Sequence, residues 1–191
     1  MDPVFTIPYS EYCVALQLQD YFKSKDGFSL FIPMSRQEKG IDLILAKRQD
    51  KHTVSITIQV KASRTYSPKP SKLGNNQRFR YFTWFNNFDV PKEADYIFLT
   101  GLYPPDEGRT KKNASSWWSA VILVFTQEEM ISFIKNIITV KGTRDKMFGF
   151  GFNEPTKIYQ TRGDMNRGLQ DYSNNLLRNQ IEGIKSRLLD K

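Results

Sequence analysis

Asp42, Gln59 and Lys61 are a carboxylate, an amide and an ammonium group carried on two neighbouring apolar runs. On one polar surface they have the makeup of a nuclease active site. Two strands must position them. Ile41, Leu43 and Leu45 alternate with Asp42, Ile44 and Ala46, and Val54, Ile56, Ile58 and Val60 alternate with Thr53, Ser55, Thr57, Gln59 and Lys61. Both runs have the period of a β-strand. The break between them, Arg48-Gln49-Asp50-Lys51, is short and charged, which predicts an antiparallel hairpin with its tip near Asp50 and Lys51. In that register Ile41 faces Val60, Leu43 faces Ile58 and Leu45 faces Ile56, so Asp42 stands beside Gln59 with Lys61 next along the same face. A slip of one residue would turn Asp42 into the apolar layer, and burying an unpaired carboxylate opposes it. Taken singly, each residue has a plain structural reading: Asp42 as a turn residue after Gly40, Gln59 and Lys61 as solvent-facing strand positions.

The order Gly-Ile-Asp-Leu-Ile, hairpin, Ile-Gln-Val-Lys-Ala resembles the PD-(D/E)xK nuclease superfamily, in which an acid on one strand precedes Glu-x-Lys, or in some branches Gln-x-Lys, on the next. The matching residues are Asp42, Gln59 and Lys61. Gln59 in place of the usual Glu is similar to the variant in Mrr-type restriction endonucleases and their relatives, and Ile41 stands where a proline often precedes the acid. The resemblance covers about the first third of the chain, and its motif is short.

The resemblance implies an α/β fold with a restriction-endonuclease-like core: a mixed central β-sheet, an N-terminal helix before the catalytic strands, and flanking helices. It implies a metal-dependent endonuclease acting on DNA, of restriction, repair or mobile-element type, with Mg²⁺ or Mn²⁺ as cofactor. Such an ion neutralises developing phosphoryl charge and activates water, and Mg²⁺ takes few protein oxygens. Asp42 is then the charged ligand and the Gln59 carbonyl a neutral one, while Lys61 orients or deprotonates the water and stabilises transition-state charge. Gln for Glu removes a negative charge, and the first helix of the superfamily often lends an acid. Glu11 matches that role.

Thr6-Ile7-Pro8 predicts a helix start, with the helix running to about Lys23. Glu11, Ala15, Leu18 and Phe22 share a stripe that should pack on the sheet. A carboxylate there is accounted for equally by an active-site role and by the helix dipole, which favours an acid near the N-terminus.

The chain has 191 residues, 39% of them hydrophobic and 25% charged, which suits a single domain over 1–191 with a proper core. No apolar run is long enough to cross a bilayer, and Met1-Asp2-Pro3-Val4 lacks the layout of a signal peptide, so a soluble, cytoplasmic protein is expected. Cys13 is the single cysteine, which removes an intrachain disulfide and a cysteine zinc site; the single histidine, His52, falls at the hairpin tip. A net charge of +8 favours a polyanionic partner. The phosphodiesterase motif and the lack of a basic amphipathic anchor rank nucleic acid above a membrane surface.

Phe28 to Ile32 reads as the first core strand and Arg64 to Gln77 as a loop rich in Ser, Pro, Lys and Asn. Phe79 to Phe88 is the most aromatic stretch and reads as a strand, although a helix can follow the catalytic strand in the resembled fold. Its rings, interleaved with arginines, are mostly core, but such residues can also stack on bases and hold phosphates. Lys69, Lys72, Arg78 and Arg80 are the candidate nucleic-acid contacts. Asp95 to Tyr103 and Trp117 to Phe125 read as strands joined by a solvated loop, and Thr126 with Glu129 forms a capping box before an apolar-faced helix. Met147 to Phe152 reads as a strand whose glycines permit close approach of another backbone, with a further short strand at Ile158 to Gln160. Leu169 to Leu189 reads as a helix that either closes the domain or pairs two subunits in a homodimer. Two alternatives stand beside the nuclease: a nucleic-acid-binding protein with a degenerate, non-cleaving fold of this kind, and a basic scaffold protein.

Overall fold

Period-two alternation demands a sheet with one face buried, and the computed structural model, which describes residues 9–33, 40–66, 79–103, 119–164 and 170–190, has one. The elements run α1 (Tyr9–Tyr21), β1 (Phe28–Phe31), β2 (Leu43–Arg48), β3 (Thr53–Tyr66), β4 (Tyr81–Asn86), β5 (Tyr96–Tyr103), β6 (Ser119–Thr126), α2 (Gln127–Lys135), β7 (Met147–Phe152), β8 (Tyr159–Arg162) and α3 (Leu177–Leu189). The opening helix followed by three strands is as expected. The sheet is mixed but mostly antiparallel: β3 runs parallel to β5, and the other strand pairs are antiparallel.

β3 belongs to two layers. Through residues 53–64 it pairs with β2 on one side and β5 on the other, building the layer β1-β2-β3-β5-β6. Its last residues, Thr65 and Tyr66, pair with Thr83 and Phe82 of β4, which leads to β7 and β8. The first layer is covered on one face by α1 and α3, where Val14, Leu18, Ile181 and Leu188 pack on Leu43, Leu45, Ile56 and Ile58. Its other face meets α2 and the second layer, where Ile97, Leu99 and Leu123 pack on Phe85, Phe148 and Phe150. Full burial of each such side chain contributes roughly 1.5–3 kcal/mol relative to exposure.

The hairpin closes in the predicted register, with Leu43 opposite Ile58 and Leu45 opposite Ile56. The third expected pair, Ile41 with Val60, is replaced: β2 begins only at Leu43, and Asp42 takes over the hydrogen bonds at that end. His52 is exposed at the tip. The capping box is present, Glu129 N–H donating to Thr126 Oγ1 at 3.2 Å and Thr126 N–H to Glu129 Oε2 at 2.8 Å.

Several boundaries differ from the sequence reading, among them the aromatic strand, which is Tyr81–Asn86 and not Phe79 to Phe88. The expected loop from Arg64 starts later, because β5 and β4 offer partners to Arg64, Thr65 and Tyr66 and keep β3 extended through Tyr66. The C-terminal helix begins at Leu177 instead of Leu169. Asp171 bridges Tyr159, Leu176 bridges Leu123, and Tyr172 N–H bonds the Ile158 carbonyl, so those residues serve the sheet before the helix starts. β8 runs to Arg162 and not Gln160, and α1 ends at Tyr21 and not Lys23. The helix start at Thr6 and the segments 34–39, 67–78 and 104–118 lie outside the described residues.

Candidate active site

β2 and β3 bring Asp42, Gln59 and Lys61 together at the end of the hairpin away from its tip. Asp42 N–H donates to the Ile58 carbonyl at 2.9 Å, and Asp42 Oδ2 accepts the Val60 N–H at 2.7 Å. A strand N–H points along the sheet toward its neighbour, so the carboxylate lies at the open end of the ladder and substitutes for the backbone acceptor that Ile41 would have supplied.

Gln59 alternates with Ile58 and Val60, which pack under the helices, so its side chain points to the opposite face. Its row in the parallel ladder is completed by Ile97 of β5. Gln59 is only 7% exposed, and its Oε1 is a buried oxygen with no hydrogen-bond partner among the described residues. Leaving such an atom unsatisfied costs about 1–3 kcal/mol, and a ligand oxygen site is one of the few reasons to keep it. Lys61 follows two residues on, opposite Leu99, with Nζ 5.1 Å from the centroid of the Phe88 ring. Ring and ammonium attract, so Phe88 fixes where the charge is held. Ser63 continues this face and accepts the Trp84 N–H at 3.0 Å, tying it to β4.

Glu11 is carried by α1 on the opposite face of the first layer, half-buried beside the packed residues Val14, Ala15 and Leu18. Asp42, Gln59 and Lys61 are thus carried by the β2–β3 hairpin and its approach, and Glu11 by the first turn of α1. Among the described residues no group of three or more His, Cys, Asp or Glu side chains is close enough to hold a metal ion. Sequence reading missed Glu93. The turn before β5 sets its carboxylate beside the entry to β2: a Cβ at Gly40 would come 3.8 Å from Glu93 Oε2. Only the tertiary approach of residues 91–93 to Gly40 reveals it.

Of the basic candidates, Lys69, Lys72 and Arg78 lie outside the described residues. Arg80 is exposed immediately before β4; its N–H donates to Asn153 Oδ1 at 2.7 Å and its guanidinium sits 5.0 Å from the Tyr81 ring centroid. Cys13 is buried, and burial pushes its thiol above the ordinary range, which suits packing and not nucleophilic work. A second ionic feature sits in the other layer. Arg162 donates to both oxygens of buried Asp145 at 3.1 Å, and this guanidinium holds the Asp145 carboxyl below its usual range.

Among the described residues no helix is long and apolar enough to cross a membrane. A scan against protein-family models and searches of curated proteins and of solved structures returned no match.

Proposed function

We propose that this protein is a metal-dependent phosphodiesterase with a restriction-endonuclease-like core, cutting nucleic acid and DNA in particular. The observation that carries the reading is the orphaned, buried Oε1 of Gln59, held one strand away from the Asp42 carboxylate and two residues before Lys61. A hard divalent ion such as Mg²⁺ or Mn²⁺ fits this oxygen set and, when bound, supplies Lewis acidity and an activated water. Asp42 and Gln59 are the residues that would hold it. Asp42 contributes the negative charge and, through its bond to Val60, a fixed position; Gln59 contributes a neutral oxygen already stripped of water. Lys61, oriented by Phe88, stabilises the charge that develops on the phosphoryl oxygens. Glu93, beside Gly40, adds negative potential on the β2 side and offsets part of the charge that Gln lacks relative to Glu. The net charge of +8 steers a polyanion toward the protein.

A second reading, a binder that does not cut, is favoured by one observation: the Asp42 carboxylate already serves the Val60 N–H, as a structural residue would. Incubation of the purified protein with duplex, single-stranded and branched DNA, with and without Mg²⁺ or Mn²⁺, separates the two. Metal-dependent cleavage that Lys61→Ala abolishes supports the nuclease. Binding without cleavage at any metal concentration supports the second reading.

A further inference from the structure

The outer face of the second layer is covered in part by the Phe79 ring, which packs on Phe82 and Tyr159, while Tyr66 and Trp84 stay exposed, and two of its rows have a pattern that packing does not require. Ladder partners point to the same side. One row across β3, β4, β7 and β8 is Tyr66, Phe82, Gly151 and Tyr159; the next is Trp84, Gly149 and Arg162 across β4, β7 and β8, with Arg64 two residues before Tyr66 on the same face of β3. These positions on β3 and β4 are aromatic or basic and both on β7 are glycine; Asn86 and Met147 follow on the same face. The glycines are needed for close approach: a side chain at Gly149 would collide with the Thr83 carbonyl and the Trp84 indole, and one at Gly151 with the Phe79 ring and Thr161.

Trp84 and Tyr66 remain 46% and 49% exposed, although they stack on each other with centroids 5.4 Å apart and planes at 30°. Rings that existed only to stabilise the sheet would be covered; these present a flat surface to solvent. Beside them a depression of about 360 Å³ opens between Phe82, Trp84 and residues Ile138–Val140, floored by Thr161 and Arg162. Arg64 is exposed on β3, and Lys141, Arg144 and Lys146 are exposed on the segment that walls the depression. The two rows hold no carboxylate; of the two acids that line the depression, Asp145 is buried and paired to Arg162, and Asp164 lies at its Gly163 end.

We infer that this face is a stacking platform for an unpaired nucleic-acid strand, with bases lying on Trp84 and Tyr66 and phosphates met by Arg64 and the basic edge. Flat aromatic rings on a β-sheet accept any base because every base has a π-face, and cations beside them track the backbone. Duplex hides its base faces and cannot use such rings. The inference deepens the proposed nucleic-acid substrate and rests on that reading for its partner class, but not on cleavage.

The test is binding in EDTA of fluorescein-labelled oligo-dT and oligo-rU fifteen-mers and of a blunt duplex, across a salt series. Both single strands should bind at least about 10-fold tighter than duplex, with affinity falling as salt rises. The exposed pair Tyr66→Ala with Trp84→Ala should weaken strand binding by about 10-fold or more, while Trp84→Phe, which keeps a ring, should stay within about threefold of wild type. Equal affinity for strand and duplex, or unchanged affinity in the double variant, would overturn the platform, as would a wild-type dimer that Trp84→Ala converts to monomer, since a second copy would then own the face. Strand binding with no metal-dependent cleavage removes the nuclease and keeps the platform; duplex cleavage with no strand binding does the reverse.

Discussion

Asp42 Oδ2 accepts the backbone N–H of Val60 at 2.7 Å, so the acid best placed for chemistry also ends the β2–β3 ladder. This bond gives Asp42 a structural task beside any chemical one. Asp42→Ala should lower stability by about 1–2 kcal/mol by stranding the Val60 N–H, whereas Asp42→Asn keeps an acceptor and should cost less than half as much. Both should lose cleavage. Urea midpoints measured beside nuclease assays check this, and equal stability losses for the two substitutions would remove the acceptor role.

Gln59→Leu removes a buried oxygen that has no partner among the described residues. In metal-free buffer it should match or exceed wild type in thermal midpoint, and added Mg²⁺ should stabilise wild type but not the variant, because an ion bound only to the native state raises its stability. Gln59→Glu should show the opposite behaviour: a less stable metal-free protein, from a buried carboxylate, with tighter Mg²⁺ binding. Calorimetric titration of the three proteins decides, and identical Mg²⁺ responses would take Gln59 off the ligand list.

Lys61→Ala should lower cleavage by about 100-fold or more at little cost in stability, the magnitude expected when one charge-stabilising group is lost. Phe88→Leu leaves the ammonium in place but removes the ring it faces, 5.1 Å away. A cation–π contact contributes about 0.5–1 kcal/mol at partly exposed sites, so cleavage should fall only severalfold. A Phe88→Leu defect as deep as that of Lys61→Ala would mean that the ring, and not the ammonium, is the group that matters.

Asp145 ties β7 to β8 through Arg162 and through the Met147 N–H at 3.1 Å. Its folded-state carboxyl titrates below the unfolded one, so the contribution is complete above the ordinary carboxylate range and disappears as pH falls through the lowered folded value. Asp145→Asn should therefore be less stable than wild type at pH 7, by about 1 kcal/mol given that Arg162 is partly solvated, and the gap should close on acidification. Denaturation of both proteins from pH 7 down to about pH 2 tests the sign.

The hairpin was legible because alternation in Ile41–Ala46 and Thr53–Lys61 leaves a single register with the apolar side chains on one face, and the charged break centres it. The capping box was legible for a similar reason: Thr126 and Glu129 satisfy each other locally. What escaped was set by partners distant in the chain. Nothing in Arg64-Thr65-Tyr66 announces a strand until Leu102 and Thr83 lie alongside. The short start of the C-terminal helix depends on bridges from Asp171 and Leu176 to β8 and β6. Of the site, the pairing of Asp42 with Gln59 and the nearby Lys61 came from spacing; the carboxylate's bond to Val60, the ring at Phe88 and the approach of Glu93 came only with the fold. The platform was half visible as rings among arginines in 79–88, but its glycine floor lies some 65 residues further on, beyond what local periodicity reaches.

The sharing of β3 between two layers bears on how this protein can change over time. Where each sheet has its own strands, a chain can lose, duplicate or exchange one of them as a cassette. Here residues 53–66 supply the ladder for β2 and β5 and then for β4, so no cut in the chain separates the half bearing Lys61 from the half bearing Trp84. An insertion of a single residue between Lys61 and Tyr66 would rotate one layer's side chains to the wrong face while leaving the other's in place. The length of that strand is therefore constrained by two ladders at once, whereas a substitution that keeps its face touches only one.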